Sequence, residues 1–155
     1  MNKRIAIFWD LENVKLRRLR RNQALLASIF NFARSRGKVQ TFNVYGSLTG
    51  KYQSAFQASC LEAKACYVSI ESAKKNALDE KLVFDCVKAI NHIACPEVVI
   101  LVSGDKDYKA LIECLRRLNI YVVVLAQSEL GSLRLRKIAN EFHAISNLLN
   151  LQGAA

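Results

Sequence analysis

Aspartate occurs five times in this 155-residue chain, at positions 10, 79, 85, 105 and 107. Asp10 closes the apolar run Ile5-Ala-Ile-Phe-Trp9, and Asp105 and Asp107 sit in Ser103-Gly104-Asp105-Lys106-Asp107, directly after the run Val98-Val-Ile-Leu-Val102. Asp79 opens a segment in which Leu82, Val83, Cys86, Val87 and Ile90 recur at helical spacing. Bringing such groups together is unfavourable, because two unit charges 4 Å apart repel by about 4 kcal/mol at an effective dielectric near 20. A divalent cation removes the conflict. Oxygen-only donors select Mg²⁺ or Mn²⁺ over zinc, and magnesium accepts one or two carboxylates together with waters and substrate phosphate oxygens. An ion held in this way suits phosphodiester hydrolysis: it acidifies water, orients the attack and neutralises charge on the leaving oxygen. A single Asp at a strand end or helix start is an ordinary turn or cap residue. The metal reading therefore rests on several of them converging.

Convergence requires elements that end at one place. Hydrophobic period and punctuation predict a strand over 4–9, then a helix over 23–36 with Asn22 as its N-cap and Gly37 as its C-terminal stop. A strand over 38–45, a helix over 52–65 and a strand over 66–70 follow. Asp79 is placed as the cap of a helix reaching about 94, before Pro96. The rest reads as a strand over 98–102, a helix over 108–118, a strand over 121–126 and a basic helix over 132–140. Strands written as continuous apolar runs belong to a parallel sheet covered on both faces, so the expected fold is a three-layer α/β/α domain with a mainly parallel central sheet. Ligands of such sheets bind beyond the carboxyl ends of the strands. Asp10, Asp105 and Asp107 lie at that edge, and Asp79 shares the azimuth of its helix's inner stripe. Asp85, six residues further, falls about 120° away on the side of Lys81 and Lys88, where a surface ion pair is its simplest reading. Asn13, in the turn after the first strand, can hold a water or a phosphate, or cap an Asx turn.

The size and apolar content, 155 residues at 52%, fit one domain, taken as 1–146 with a tail over 147–155. Leu148, Leu149 and Leu151 in that tail can dock on the chain itself or on a second copy, which leaves a homodimer open. Twenty-three Lys and Arg against 13 Asp and Glu leave a net charge of +10, a field that attracts polyanions. The densest basic run, Lys15, Arg17, Arg18, Arg20 and Arg21, comes just after Asp10 and Asn13, where phosphate contacts would be salt-sensitive. Lys51, Lys74, Lys75, Lys106 and Lys109 flank the same edge, and Arg134, Arg136 and Lys137 can extend the track. Five Cys without a C-x-x-C pair argue against a zinc ribbon or a secreted disulfide framework. The longest apolar run, seven residues from Ile120 to Ala126, cannot span a bilayer, and no signal-peptide core is present. A cytoplasmic protein without a membrane partner is expected.

In three blocks, Phe8-Trp9-Asp10-Leu11-Glu12-Asn13, Lys75 to Asp79 with Leu82 and Asp85, and Ser103-Gly104-Asp105-Lys106-Asp107-Tyr108 with Leu111 and Leu115, the sequence resembles the NYN domain family, a PIN-like nuclease group that includes LabA-like proteins. The resemblance implies a sheet of order 3-2-1-4-5 and Mg²⁺- or Mn²⁺-dependent endoribonuclease activity on RNA. It implies Asp10, Asp79, Asp105 and Asp107 as acidic ligands and catalytic residues, with Asn13 and Ser103 as polar neighbours of the substrate. Asp85 also matches the family pattern, as a second-tier position. Lys75-Asn76-Ala77-Leu78-Asp79 carries one residue more than the family's usual Lys-Gly-Val-Asp before the helix. Two other readings stand beside this one: a non-catalytic RNA- or protein-binding regulator of the same fold, and a haloacid-type phosphatase with Asp10 as nucleophile. The phosphatase expects an Asp where Glu12 stands.

Overall fold

The computed structural model describes residues 2–47, 51–71, 74–130 and 132–153. Strand and helix alternate as β1 (Lys3–Asp10), α1 (Leu19–Arg34), β2 (Gly37–Gly46), α2 (Lys51–Glu62), β3 (Cys66–Ser69), α3 (Ala77–Ile90), β4 (Val98–Val102), α4 (Lys109–Arg117), β5 (Tyr121–Ala126), α5 (Leu133–Ile138), β6 (Glu141–Ala144) and α6 (Ile145–Gly153). A short 3₁₀ turn, Lys106–Tyr108, leads into α4. All strand pairs are parallel and the order is β3-β2-β1-β4-β5-β6. The expected order thus holds, and β6 extends it at the edge. Glu141-Phe-His-Ala144 is too short and too polar to announce itself as a strand.

Alternate residues of the central strands feed two cores. Ile5, Ile7 and Trp9 of β1 pack with Leu25, Ile29, Phe56 and Leu148 on the side of α1, α2 and α6. Ala6 and Phe8 face the other way, onto Leu82, Leu111, Leu115 and Leu135 of α3, α4 and α5. Three layers result, with β1 and β4 buried on both faces at the centre.

Several element ends differ from those read in the sequence. α1 starts at Leu19, so Asn22 is not its cap but a buried residue of its first turns. There its amide Oδ1 accepts from the Leu16 N–H and its Nδ2 donates to the Leu16 carbonyl, each at 2.8 Å. Gly37 opens β2 instead of stopping α1, and a Cβ there would stand 2.2 Å from the Lys3 carbonyl oxygen. Asn76, not Asp79, is the N-cap position of α3, which ends at Ile90. Of the stretch expected as a tail, residues 147–153 belong to α6: Leu148 is buried in the core beside α1, and Leu149 packs against it. These two leucines dock on the chain itself, while the side chain of Leu151 lies outside the described residues.

Candidate metal centre

The chain crosses from β3 at one side of the sheet to β4, which lies against β1 on the other side of centre, so strand order reverses between β1 and β4. Side chains just past these two strands meet in the cleft that the reversal opens. Trp9 pairs with Val102, which sets Asp10 level with Ser103.

Asp10 is only 3% exposed. Its Oδ1 accepts from the N–H groups of Glu12 at 3.1 Å and Asn13 at 3.2 Å. The turn is closed by the Val14 N–H donating to the Asp10 carbonyl, and from below by the Trp9 indole N–H donating to the Val14 carbonyl at 2.8 Å. Asp105 is anchored in the same manner: its N–H donates to the Oγ of fully buried Ser103 at 3.1 Å, and its Oδ1 accepts from the Asp107 N–H at 2.9 Å. Asn13 joins the two turns, its Oδ1 accepting from the Gly104 N–H at 2.7 Å. Asp79 projects from the first turn of α3, half-buried. One carboxylate oxygen from each of Asp10, Asp79 and Asp105 lies within 4.8 Å of the other two.

Tyr108 completes the cluster, and the sequence reading did not single it out as a site residue. Fully buried at the start of α4, its hydroxyl lies 3.0 Å from Asp10 Oδ2 and 3.1 Å from Asp79 Oδ1. A hydroxyl has one hydrogen to donate, so it serves both oxygens fully only when one carboxyl carries a proton. The available signal was position: Tyr108 follows Asp107 on the inner side of a helix start.

Burial pushes Asp10 up to about 6, against the lowering by the Tyr108 hydroxyl and the two backbone N–H groups, and nearby Asp79 adds to the rise. Asp79 is also raised, by burial first and then by Asp105, Asp107 and Glu12. Burial between these charges holds Tyr108 far above its ordinary value, so it stays a neutral donor. Among the described residues none of the three clustered carboxylates forms an ion pair. Three oxygen donors, charge of one sign and no ion-paired cation among the described residues make a donor set that fits a hard divalent ion.

The other candidates occupy different places. Asp107 is exposed at the rim, outside the group of three, with Asp79 and Tyr108 beside it in a shallow cavity. Asp85 points away: it accepts from the Tyr45 hydroxyl at 2.9 Å and from Lys81 Nζ at 3.0 Å, which is the ion pair its helical position foretold. The hydrogen bonds of Asn13 and Ser103 run to the backbone of the two turns. Glu12 accepts from the Ser47 hydroxyl at 2.9 Å. Lys15, Arg17 and Arg18 are exposed beside Asp10 and line a cavity of about 410 Å³, while Arg20 and Arg21 are exposed on the first turn of α1. None of these four arginines forms an ion pair among the described residues. The first turn of α1 contains no acid, so the helix's positive end adds to their field. Lys75 is exposed in the turn before α3. By contrast Lys74 pairs with Glu80, Lys109 with Glu113, and Arg136 lies over the Phe142 ring. The Lys51 side chain is outside the described residues.

Fold and site together define a PIN-like α/β domain with a carboxylate centre at the switch point of its sheet. Residues 4–147 match the NYN domain family, and the chain belongs to that family, a PIN-like group whose domains are generally nucleases. A crystal structure titled as a protein of unknown function, VPA0982 from Vibrio parahaemolyticus RIMD 2210633, shares the fold with a TM-score of 0.77 over 95% of each chain at 22% identity. No curated protein matches the sequence.

Proposed function

We propose that this chain is a metal-dependent ribonuclease, cutting RNA endonucleolytically in the cytoplasm at Mg²⁺ or Mn²⁺ held by Asp10, Asp79 and Asp105. The observation that carries the reading is the meeting of three carboxylates that have no cationic partner among the described residues, in a domain of a nuclease family. When bound, the ion supplies Lewis-acid activation of water and neutralises charge on the phosphate. Asp10 is the pre-set ligand, because its turn fixes Oδ1 on two N–H groups and leaves Oδ2 in the cluster. Tyr108, its single hydroxyl hydrogen within reach of both, keeps the Asp10 and Asp79 carboxylates in register. Asp107 adds negative charge at the rim, near enough to raise Asp79. Asn13 ties the two turns together, and Ser103 braces the second from within. Lys15, Arg17, Arg18, Arg20, Arg21 and Lys75 receive the substrate's phosphates, as exposed cations around an acidic centre must if a polyanion is to approach it. The reaction adds water across the phosphodiester: its oxygen bonds to phosphorus, one P–O bond to ribose breaks, and the leaving oxygen takes up a proton. A cytoplasmic setting accords with five free cysteines, and no described helix is long and apolar enough to cross a membrane.

Matched single-stranded RNA and DNA, labelled at either end, test this with Mg²⁺, Mn²⁺ or EDTA. Internal cuts in RNA that need the metal support the reading. Metal-dependent cuts in DNA alone would overturn the choice of substrate. Absence of metal-dependent product, with RNA still bound, would favour a binding regulator of the same fold.

A further inference from the structure

The cavity beside the carboxylates has a lining that the hydrolytic chemistry does not require. It lies at the carboxyl ends of β1 and β2 and has a volume of about 410 Å³, inside the roughly 300–1,000 Å³ of small-ligand sites. Its lining combines apolar and cationic side chains. Leu11, Leu19 and Phe56 give it an apolar floor, and Tyr52, 55% exposed on the first turn of α2, presents a ring at its margin. Lys15, Arg17 and Arg18, all exposed, line it as well. Glu12, two residues from Asp10, is also in the lining, and one of its carboxylate oxygens accepts from the Ser47 hydroxyl.

A pure phosphate site needs no apolar floor, and a peptide groove needs no line of arginines. An unpaired nucleotide needs both: a flat face to stack on an aromatic ring, an edge that donates hydrogen bonds to a carboxylate, and a phosphate for the cations. Bases within an RNA duplex are stacked and cannot enter such a cavity. We infer that this cavity holds one unpaired nucleotide of the substrate next to the cleaved phosphate, base toward Tyr52 and phosphate toward Arg17 and Arg18. The position beside the cleaved phosphate rests on the nuclease reading; the binding of an unpaired nucleotide does not.

The test is therefore binding in EDTA, where no turnover is needed, followed by fluorescence anisotropy with a labelled single-stranded RNA and a blunt duplex of equal length. Wild type is expected to favour the single strand, and Tyr52→Ala to lose about tenfold on it with no change on the duplex. That loss is ~1.4 kcal/mol, in the range of one base–aromatic stack. Tyr52→Phe keeps the ring and is expected to bind as wild type, which separates stacking from a folding defect. A single strand carrying 2-aminopurine is expected to lose fluorescence on binding wild type and to keep it with Tyr52→Ala. Equal affinity of wild type and Tyr52→Ala for the single strand, or an equal loss on both RNAs, would overturn the inference. The expected pattern in a protein that cleaves nothing would retain the nucleotide site and remove the nuclease reading; cleavage by a protein whose Tyr52→Ala variant binds normally would do the reverse.

Discussion

Asp10 places an acid where an acid is unwelcome without a partner. Burial holds it at about 6 in the folded chain against an ordinary 3.8, so between these values the folded state keeps a proton that the unfolded state has lost. The metal-free protein should therefore lose stability as pH rises from about 4 to about 6 and stay at the lower level above, a difference of about 3 kcal/mol from this group. Asp10→Asn should flatten that slope and raise the melting temperature in EDTA at neutral pH. Because protons and metal compete for the carboxylates, the rise in melting temperature that Mn²⁺ gives wild type should be large at neutral pH and shrink below about 6. Thermal melts across pH, with and without metal, check each of these. Tyr108→Phe keeps the buried ring but removes the donor between Asp10 and Asp79. Metal affinity or cleavage is expected to fall about 10–100-fold, as for other groups that orient metal ligands. At this scale the sequence was most legible for the aspartates, which punctuate apolar runs. It was least legible for Tyr108, because an aromatic residue at a helix start reads as core, and this one is in the core as well.

Elements bring the groups together through their ends. The strand runs that ended at Asp10 and before Ser103 were legible because β1 and β4 are buried on both faces and are written in unbroken apolar residues. Helix starts were less legible. Asn22 resembles a cap in sequence, yet its amide side chain is turned back on Leu16, a bond between residues six apart that no local pattern specifies. That bond ties the basic segment to α1. Asn22→Ala should leave the Leu16 N–H and carbonyl without their partner and lower stability by about 1–3 kcal/mol, read by urea melts. It should weaken RNA binding while leaving Mn²⁺ affinity unchanged, since Asp10 is fixed by Trp9, Val14 and the backbone of its own turn. The edge elements β6 and α6 were missed for a related reason. Their cohesion comes from pairing with β5 and packing on α1, interactions that short, mixed segments do not advertise.

On the scale of the whole molecule, opposite charges are segregated: a net +10 chain gathers three acids at the sheet's switch point and sets around them cations that form no ion pair among the described residues. The surplus was plain in composition, but which cations are free of local pairing was not, since Lys74 and Lys109 look the same in sequence as Arg17 and turn out to be paired. RNA affinity should fall steeply with salt. Replacing Arg17, Arg18, Arg20 and Arg21 with Ala should flatten the log–log salt slope by about 0.7 for each single-strand phosphate that the protein no longer neutralises. Cleavage at saturating RNA should change less than affinity. The most direct test of the centre itself is the single-turnover rate of RNA cleavage across a Mn²⁺ titration, for wild type and for Asp10→Asn/Asp105→Asn. Saturable, Mn²⁺-dependent cleavage by wild type, abolished in the double variant although that variant still binds RNA, is the expected result. Equal rates from the two proteins at every Mn²⁺ concentration would contradict a catalytic metal at these carboxylates.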